Sequence, residues 1–269
     1  MFKGLTIGQH LPGNSILHVM DPRMKIMLLL LTVVVLFLLN TFTGYFLLGL
    51  FFFSVITISK LPMKMILRGI KPLFFIIAFT FVLHSFLTEG GEKLLELNTW
   101  AGSLTVESEG IFRGSFMALR LIFLVIIASV LTLTTSPIAL TDAIEHLLSP
   151  FKRIGVPAHE IAMMMSIALR FIPTLTEETE KIMKAQKARG ADFETGNIIQ
   201  RAKNLVPLLV PLFVSAFRRA DELAVAMEAR CYRGGEGRTR LNELNLERRD
   251  YLAFVTLIFF AAILIIFGF

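Results

Sequence analysis

Hydrophobic positions in this chain gather in long charge-free runs, at residues 26–59, 72–88, 121–141 and 252–269. A helix of roughly 18 or more apolar residues is long enough to cross a hydrocarbon core of about 30 Å. The first run would be about 51 Å long as a single helix, too long for one crossing and tight for two. It is therefore expected to form two short helices turning near residues 40–44. Further spans are expected at about 72–87, 111–135 and 251–269. The region between the fourth and last spans shows helical spacing and no strand-type alternation, so the fold class is an all-α integral membrane protein with about five transmembrane helices.

Charge sets the orientation, because cytoplasmic loops near a membrane carry an excess of Lys and Arg. The N-terminal segment has Lys3, Arg23 and Lys25 against Asp21, and the next loop has Lys60, Lys64, Arg68 and Lys71 with no acid. Both are expected in the cytoplasm. Residues 89–109 carry Glu89, Glu92, Glu96, Glu107 and Glu109 against Lys93 alone, as suits an external loop. The N-terminus is thus expected inside and the C-terminus outside, in a multi-pass protein of the plasma membrane. Three parts follow: a membrane domain at 1–135, a cytoplasmic helical coupling insert at 136–250, and a last span at 251–269. Topology accounts for the net charge of +6 without nucleic acid, and a single Cys excludes an internal disulfide.

The insert shows helical spacing. Residues 147–157 contain Pro150, Gly155 and Pro157 and are expected to form a helix end and a turn. A short apolar Met-rich segment follows at 161–171. From Thr174, Glu177, Glu178 and Glu180 open a helix that Lys181, Lys184, Lys187 and Arg189 close, with Gly190 as its stop, in the sense the helix dipole favours. A second helix is expected at about 205–230, kinked by Pro207 and Pro211, with Ala220, Leu223, Ala224 and Met227 on one side. The two helices end alike, in Ala188-Arg189-Gly190 and in Ala229-Arg230-Cys231, 41 residues apart. Arg is favourable at any helix C-terminus, and short triplets recur by chance. Two long cytoplasmic helices with matched cationic ends also suit docking, since Arg binds a carboxylate through two bonds and small neighbours admit close approach.

These features together resemble the T component of energy-coupling-factor (ECF) transporters, in the cobalt permease-related family. The resemblance rests on Asp21-Pro22-Arg23-Met24-Lys25 before the first span, and on Gly155 and Pro157 in the Arg-Ile-Gly-Val-Pro stretch. It rests also on Arg170 and Pro173 in the Ala-Leu-Arg-Phe-Ile-Pro stretch, and on the two Arg triplets, where Cys231 departs from the more usual Gly or Ser. It implies a non-catalytic subunit of an ATP-driven importer of vitamins or other micronutrients. It further implies two ATP-binding-cassette (ABC) ATPases docked at Arg189 and Arg230, and a separate substrate-binding S component held on apolar surfaces. The S component then chooses the substrate.

The residues also bear on cofactors and alternatives. No Gly-x-x-x-x-Gly-Lys-Ser/Thr motif is present, and Gly234-Gly235-Glu236-Gly237-Arg238 lacks the spacing and the Lys, so ATP is expected on partner subunits and no cofactor in this chain. The His residues at 10, 18, 84, 146 and 159 lack metal-ligand spacing. A self-sufficient secondary transporter would show internal repeats and broken midplane helices. An integral membrane enzyme would need convergent ionisable residues, and the expected spans hold no acid. Arg120, deep in the fourth span, is expected to pair inside the bundle. Arg113 lies near the external boundary of the fourth span and His84 near the outer end of the third, and Met163, Met164 and Met165 suit either a partner surface or ordinary packing.

Overall fold

The computed structural model describes residues 10–99, 102–193, 195–235 and 244–267. Lys3, Glu236, Gly237 and Arg238 lie outside them. In chain order the helices are α1 (Ile16–Val19), α2 (Pro22–Leu38), α3 (Phe42–Ser59), α4 (Met63–Ile70), α5 (Phe74–Leu87) and α6 (Ser108–Thr134). Then come α7 (Pro137–Leu148), α8 (Ala158–Ala188), α9 (Ile198–Ala229) and α10 (Arg248–Phe267). The chain divides into two compact units, one of Met1–Ala143 with Asn242–Phe269, the other of Ile144–Leu241.

In the first unit, Phe42–Ser59, Met63–Leu87 and Ser108–Thr134 are each long and apolar enough to cross a membrane. The first apolar run breaks where expected. Leu39 leaves the helical region, and the Thr41 side chain accepts a hydrogen bond from the Gly44 N–H to start α3. The third helix begins nine residues earlier than the hydropathy suggests. A 3₁₀ turn, Lys71–Leu73, joins α4 to α5, and Pro72 stands in its first turn, where no intrahelical N–H is needed. Between α5 and α6, where only a loop is expected, β1 (Lys93–Thr99) and β2 (Gly102–Glu107) form an antiparallel hairpin pairing Glu96 with Thr105. An irregularity between Lys93 and Leu95 breaks the two-residue period that would announce a strand.

The core of this unit joins α2, α3, α6 and α10 through Leu36, Leu48, Phe52, Phe123, Ile127 and Leu264. Tyr45 stacks on Phe116 and Phe123, with centroids 5.6 and 6.2 Å away. Arg120 finds its partners here. Its guanidinium donates to the carbonyls of Phe37 (3.4 Å) and Leu39 (3.3 Å) and to the Tyr45 hydroxyl (3.3 Å), and it lies 4.9 Å from the Phe37 ring centroid. Tyr45 in turn donates to the Leu39 carbonyl at 3.2 Å. A helix C-terminus leaves four carbonyls without intrahelical donors, and α6 and α3 supply donors for the end of α2. His84 bonds the Thr80 carbonyl one turn back (2.9 Å), and Arg113 pairs with Glu109 in the exposed first turn of α6 (2.9 Å).

The tightest helix pairing is α5 with α6, and two glycines permit it. A Cβ on Gly110 would fall 2.9 Å from the carbonyl oxygens of His84 and Ser85. One on Gly114 would fall 2.9 Å from the Phe81 carbonyl oxygen. The Gly-x-x-x-Gly spacing places both on one helix face, as membrane helices use for close approach. Gly114→Val is expected to destabilise the fold by about 1–3 kcal/mol, read as a lower thermal midpoint of the detergent-solubilised protein. Gly49→Ala, where the added carbon meets only the Phe123 ring at 3.5 Å, is expected to change little. Equal midpoints for the two variants would remove the glycines from the account.

Candidate functional site

The second unit places the two Arg triplets at the ends of its longest helices. The sequence suggests a short apolar segment and then a helix from Thr174. Instead α8 is one helix from Ala158 to Ala188, with Pro173 inside it. Likewise α9 starts at Ile198 and runs through Pro207 and Pro211. A proline removes one intrahelical hydrogen bond, and packing between α8 and α9 holds the helices together across the loss.

Two contacts fix the relative direction of α8 and α9. The Asn204 side chain donates to the Asp192 carbonyl at 2.6 Å, so α9 begins beside the end of α8. The Tyr232 hydroxyl lies 3.2 Å from His159 Nε2, so α9 ends beside the beginning of α8. They form an antiparallel pair. Midway, Arg219 donates to Glu178 at 3.0 Å. A hydrogen bond from Ser215, together with Arg219, holds the Glu178 carboxyl below its usual range. Both residues are partly exposed, so this ion pair contributes about 1 kcal/mol or less; it marks a position more than it supplies stability. On α9, Leu212, Ser215, Arg219, Leu223 and Met227 are half-buried at helical spacing, whereas Ala220 and Ala224 are exposed. The inward face is thus rotated from the stripe that the sequence suggests.

Arg189 lies eleven residues beyond Glu178, and Arg230 lies eleven beyond Arg219. At 1.5 Å per residue each arm is about 16 Å, so the tips stand at opposite ends of the pair, at most about 33 Å apart along the backbone. An approximate twofold axis passes through the Glu178–Arg219 contact. The same 41-residue offset separates Glu178 from Arg219, a signal in the sequence that the triplets alone do not exploit.

The tips themselves have one construction. Arg189 and Arg230 are the C-cap residues, and both are exposed. After Arg189, the Gly190 N–H donates to the Lys187 carbonyl (3.0 Å) and the Ala191 N–H to the Gln186 carbonyl (3.0 Å). After Arg230, the Cys231 N–H donates to the Glu228 carbonyl (2.8 Å) and the Tyr232 N–H to the Met227 carbonyl (3.0 Å). Both are Schellman motifs, which need a left-handed residue directly after the cap. Gly190 takes φ +88° and Cys231 takes φ +56°. The third residue of each triplet is therefore the left-handed position of the turn, which Gly190 takes without strain and Cys231, with its Cβ, takes at a cost. Ala188 and Ala229 close the helices, and each guanidinium projects from a terminus whose dipole favours positive charge.

The remaining signature residues sit elsewhere. In the first unit, Asp21 caps α2 by accepting from the Arg23 N–H (2.8 Å), and Pro22 occupies the first helical position. The Arg23 guanidinium grips the Asp21 carboxylate and also donates to the Leu244 carbonyl at 2.7 Å. The Lys25 ammonium donates to the Thr134 carbonyl (3.0 Å) and the Thr135 hydroxyl (3.2 Å), closing the end of α6. Asp250 accepts from the Asp21 N–H (3.1 Å) and from the Glu247 N–H (2.8 Å), tying in the start of α10. One stretch thus fastens three helix ends, and Asp250 is the member that sequence reasoning missed. In the second unit, Gly155 (φ +91°) ends the 3₁₀ turn before α8 and Pro157 is the N-cap position of α8. Arg170 and Pro173 lie within α8, far from its tip.

Comparison with known proteins bears on the chain as a whole. A family model described as cobalt transport protein matches residues 13–241. A Clostridium kluyveri protein named energy-coupling factor transporter transmembrane protein EcfT is 58% identical over 253 residues, covering 94% of this chain and 93% of its own. Proteins of the same name from Thermosediminibacter oceani and Bacillus subtilis are 57% and 48% identical, over 93% and 98% of this chain and of their own lengths.

The tip construction gives a paired expectation. Nothing lies within 4 Å of a Cβ placed on Gly190, so Gly190→Ala carries only the left-handed penalty of about 1 kcal/mol. Exchange of the Ala191 amide is expected to speed about fivefold. Cys231→Gly relieves the same penalty and is expected to slow exchange of the Tyr232 amide by a similar factor. Unchanged exchange at both positions would mean the turns are held from outside.

Proposed function

This chain belongs to the cobalt transport protein family, as the T component of an ECF transporter, and from that premise we propose that Arg189 and Arg230 dock two ABC-type ATPases. The observation that carries the reading is the pair of exposed, identically capped Arg tips at equal distance from the Glu178–Arg219 contact. Two sites about a twofold axis suit a pair of related ATPases, which themselves assemble about such an axis. In each tip the guanidinium offers a fork of donors to a carboxylate in a groove. Residues 188–190 and 229–231 form the docking surface, and the αL turn keeps the chain beyond each Arg out of the way.

In this reading the chain itself is not a catalyst and holds no cofactor, since ATP binds to and is hydrolysed on the partner subunits. Helices α8 and α9 carry the movement to a separate S component, which selects the vitamin or other micronutrient. That component lies against apolar surface, and lipid covers the rest. The three long apolar helices together with α2 and α10 make five spans of a multi-pass plasma-membrane protein, N-terminus inside and C-terminus outside. The parts are a membrane domain at 1–135, a coupling domain at 136–250 and a last span at 251–269. Asp21, Pro22, Arg23 and Lys25 brace the helix ends of the membrane domain. Gly155, Pro157, Arg170 and Pro173 shape the coupling domain rather than touch an ATPase.

Co-expression with a candidate pair of ABC-type ATPases tests the docking. Wild type is expected to co-purify with both, Arg189→Glu and Arg230→Glu to weaken capture singly, and the double reversal to abolish it. A charge reversal at a buried bidentate contact costs about 2–5 kcal/mol, so each single variant is expected to lose at least tenfold. Full capture by the double variant would reduce both arginines to ordinary helix caps.

A further inference from the structure

The two tips are alike in their last turn and unlike in what holds them. Beyond Arg189 the chain turns straight into α9, and the Asn204 side chain secures that loop at the Asp192 carbonyl. Beyond Arg230 the chain is held from another direction. The Tyr232 hydroxyl lies 3.2 Å from His159 Nε2, and His159 Nδ1 lies 3.0 Å from Glu145 Oε1. Tyr232 follows α9, His159 stands in the first turn of α8, and Glu145 is on α7, so one run of hydrogen bonds joins three elements.

The chemistry gives this run a direction. A carboxylate only accepts, so His159 Nδ1 donates toward Glu145, and at Nε2 it meets the Tyr232 hydroxyl, which can both donate and accept. The side chains of His159 and Glu145 are 31% and 16% exposed, which limits competition from water. Gly235 closes over the same imidazole. A Cβ there would fall 2.6 Å from His159 Cγ and Cδ2, closer than real side chains approach. Polar bonding on one side and steric fit on the other thus both depend on His159.

We infer that Glu145, His159 and Tyr232 are positioning residues that lock the Arg230 tip to the start of α8 and hold it ready for its ATPase. This rests on the docking proposed above. The role is one of pre-organisation: a tip that is already ordered loses less freedom on binding. The lock is specific to Arg230, because the Arg189 tip shares none of its bonds.

The test has two parts, both on the full-length chain. Cys231 is the only Cys, is exposed, and stands between Arg230 and Tyr232, so a nitroxide there reports tip motion without any ATPase. Its spectrum is expected to be restricted in wild type and mobile in Tyr232→Phe and in Gly235→Ala, which keeps all three polar side chains. In the second part, unlabelled Tyr232→Phe is compared in two backgrounds. With Arg189→Glu, where Arg230 alone captures the ATPase pair, it is expected to weaken capture about three- to tenfold, the range of one lost hydrogen bond. With Arg230→Glu it is expected to change nothing. Unchanged label mobility in both variants would overturn the lock, and so would equal weakening in both backgrounds. Undiminished capture by Arg230→Glu alone would instead sink the docking reading and leave the mobility result standing.

Discussion

A helix that stops inside or beside hydrocarbon leaves carbonyls that no water can reach, and the membrane unit is organised around meeting that need. Arg120 and Tyr45 bond the last carbonyls of α2. The Lys25 ammonium does the same at the end of α6, and Asp21 and Asp250 accept the free N–H groups where α2 and α10 begin. Arg120, Tyr45 and Lys25 each come from a helix other than the one they finish, and Asp250, besides capping its own helix, accepts the Asp21 N–H at the start of α2. The bonds that finish one helix therefore also tie it to another, and the apolar packing around Leu36, Phe123 and Leu264 is held in a single register.

The second unit obeys a different constraint. Its two long helices carry their charge in clusters, and the uncharged stretch of α9 leaves Leu205, Val210, Phe213 and Phe217 exposed. What orders them is mutual: antiparallel packing, a marker contact between Glu178 and Arg219, and identical Schellman ends. An exposed ion pair is a weak fastening, so rigidity within the unit comes from the packed face and from the bonds at each end of the hairpin.

Much of this was legible in the residues, for reasons that can be traced. The break between α2 and α3 follows from a run too long to be one span. The helix ends at Arg189 and Arg230 follow from charge polarity and, at Gly190, from the stop residue. The continuity of α8 through Pro173 was not legible, because the cost of a proline is read locally while the packing that meets it is not. The partners of Arg120 were hidden for a similar reason, since two of them are backbone carbonyls, which leave no mark in a sequence. The Gly110–Gly114 spacing and the second 41-residue offset were in plain view. They gain meaning only once α5 is known to lie on α6 and α8 on α9. The role of the third residue in each triplet changed most: it is the left-handed residue of the closing turn, at Gly190 and at Cys231 alike.

Equal arms on either side of Glu178 and Arg219 have a mechanical consequence. Equal and opposite loads applied across the two tips reduce to a pure couple, with no net thrust at the crossing point. Such a pair turns about its centre without being displaced, and each end supplies half of the torque. Equal loads of the same sense at the two tips would balance about that point, whereas one arm a turn longer would leave a net torque.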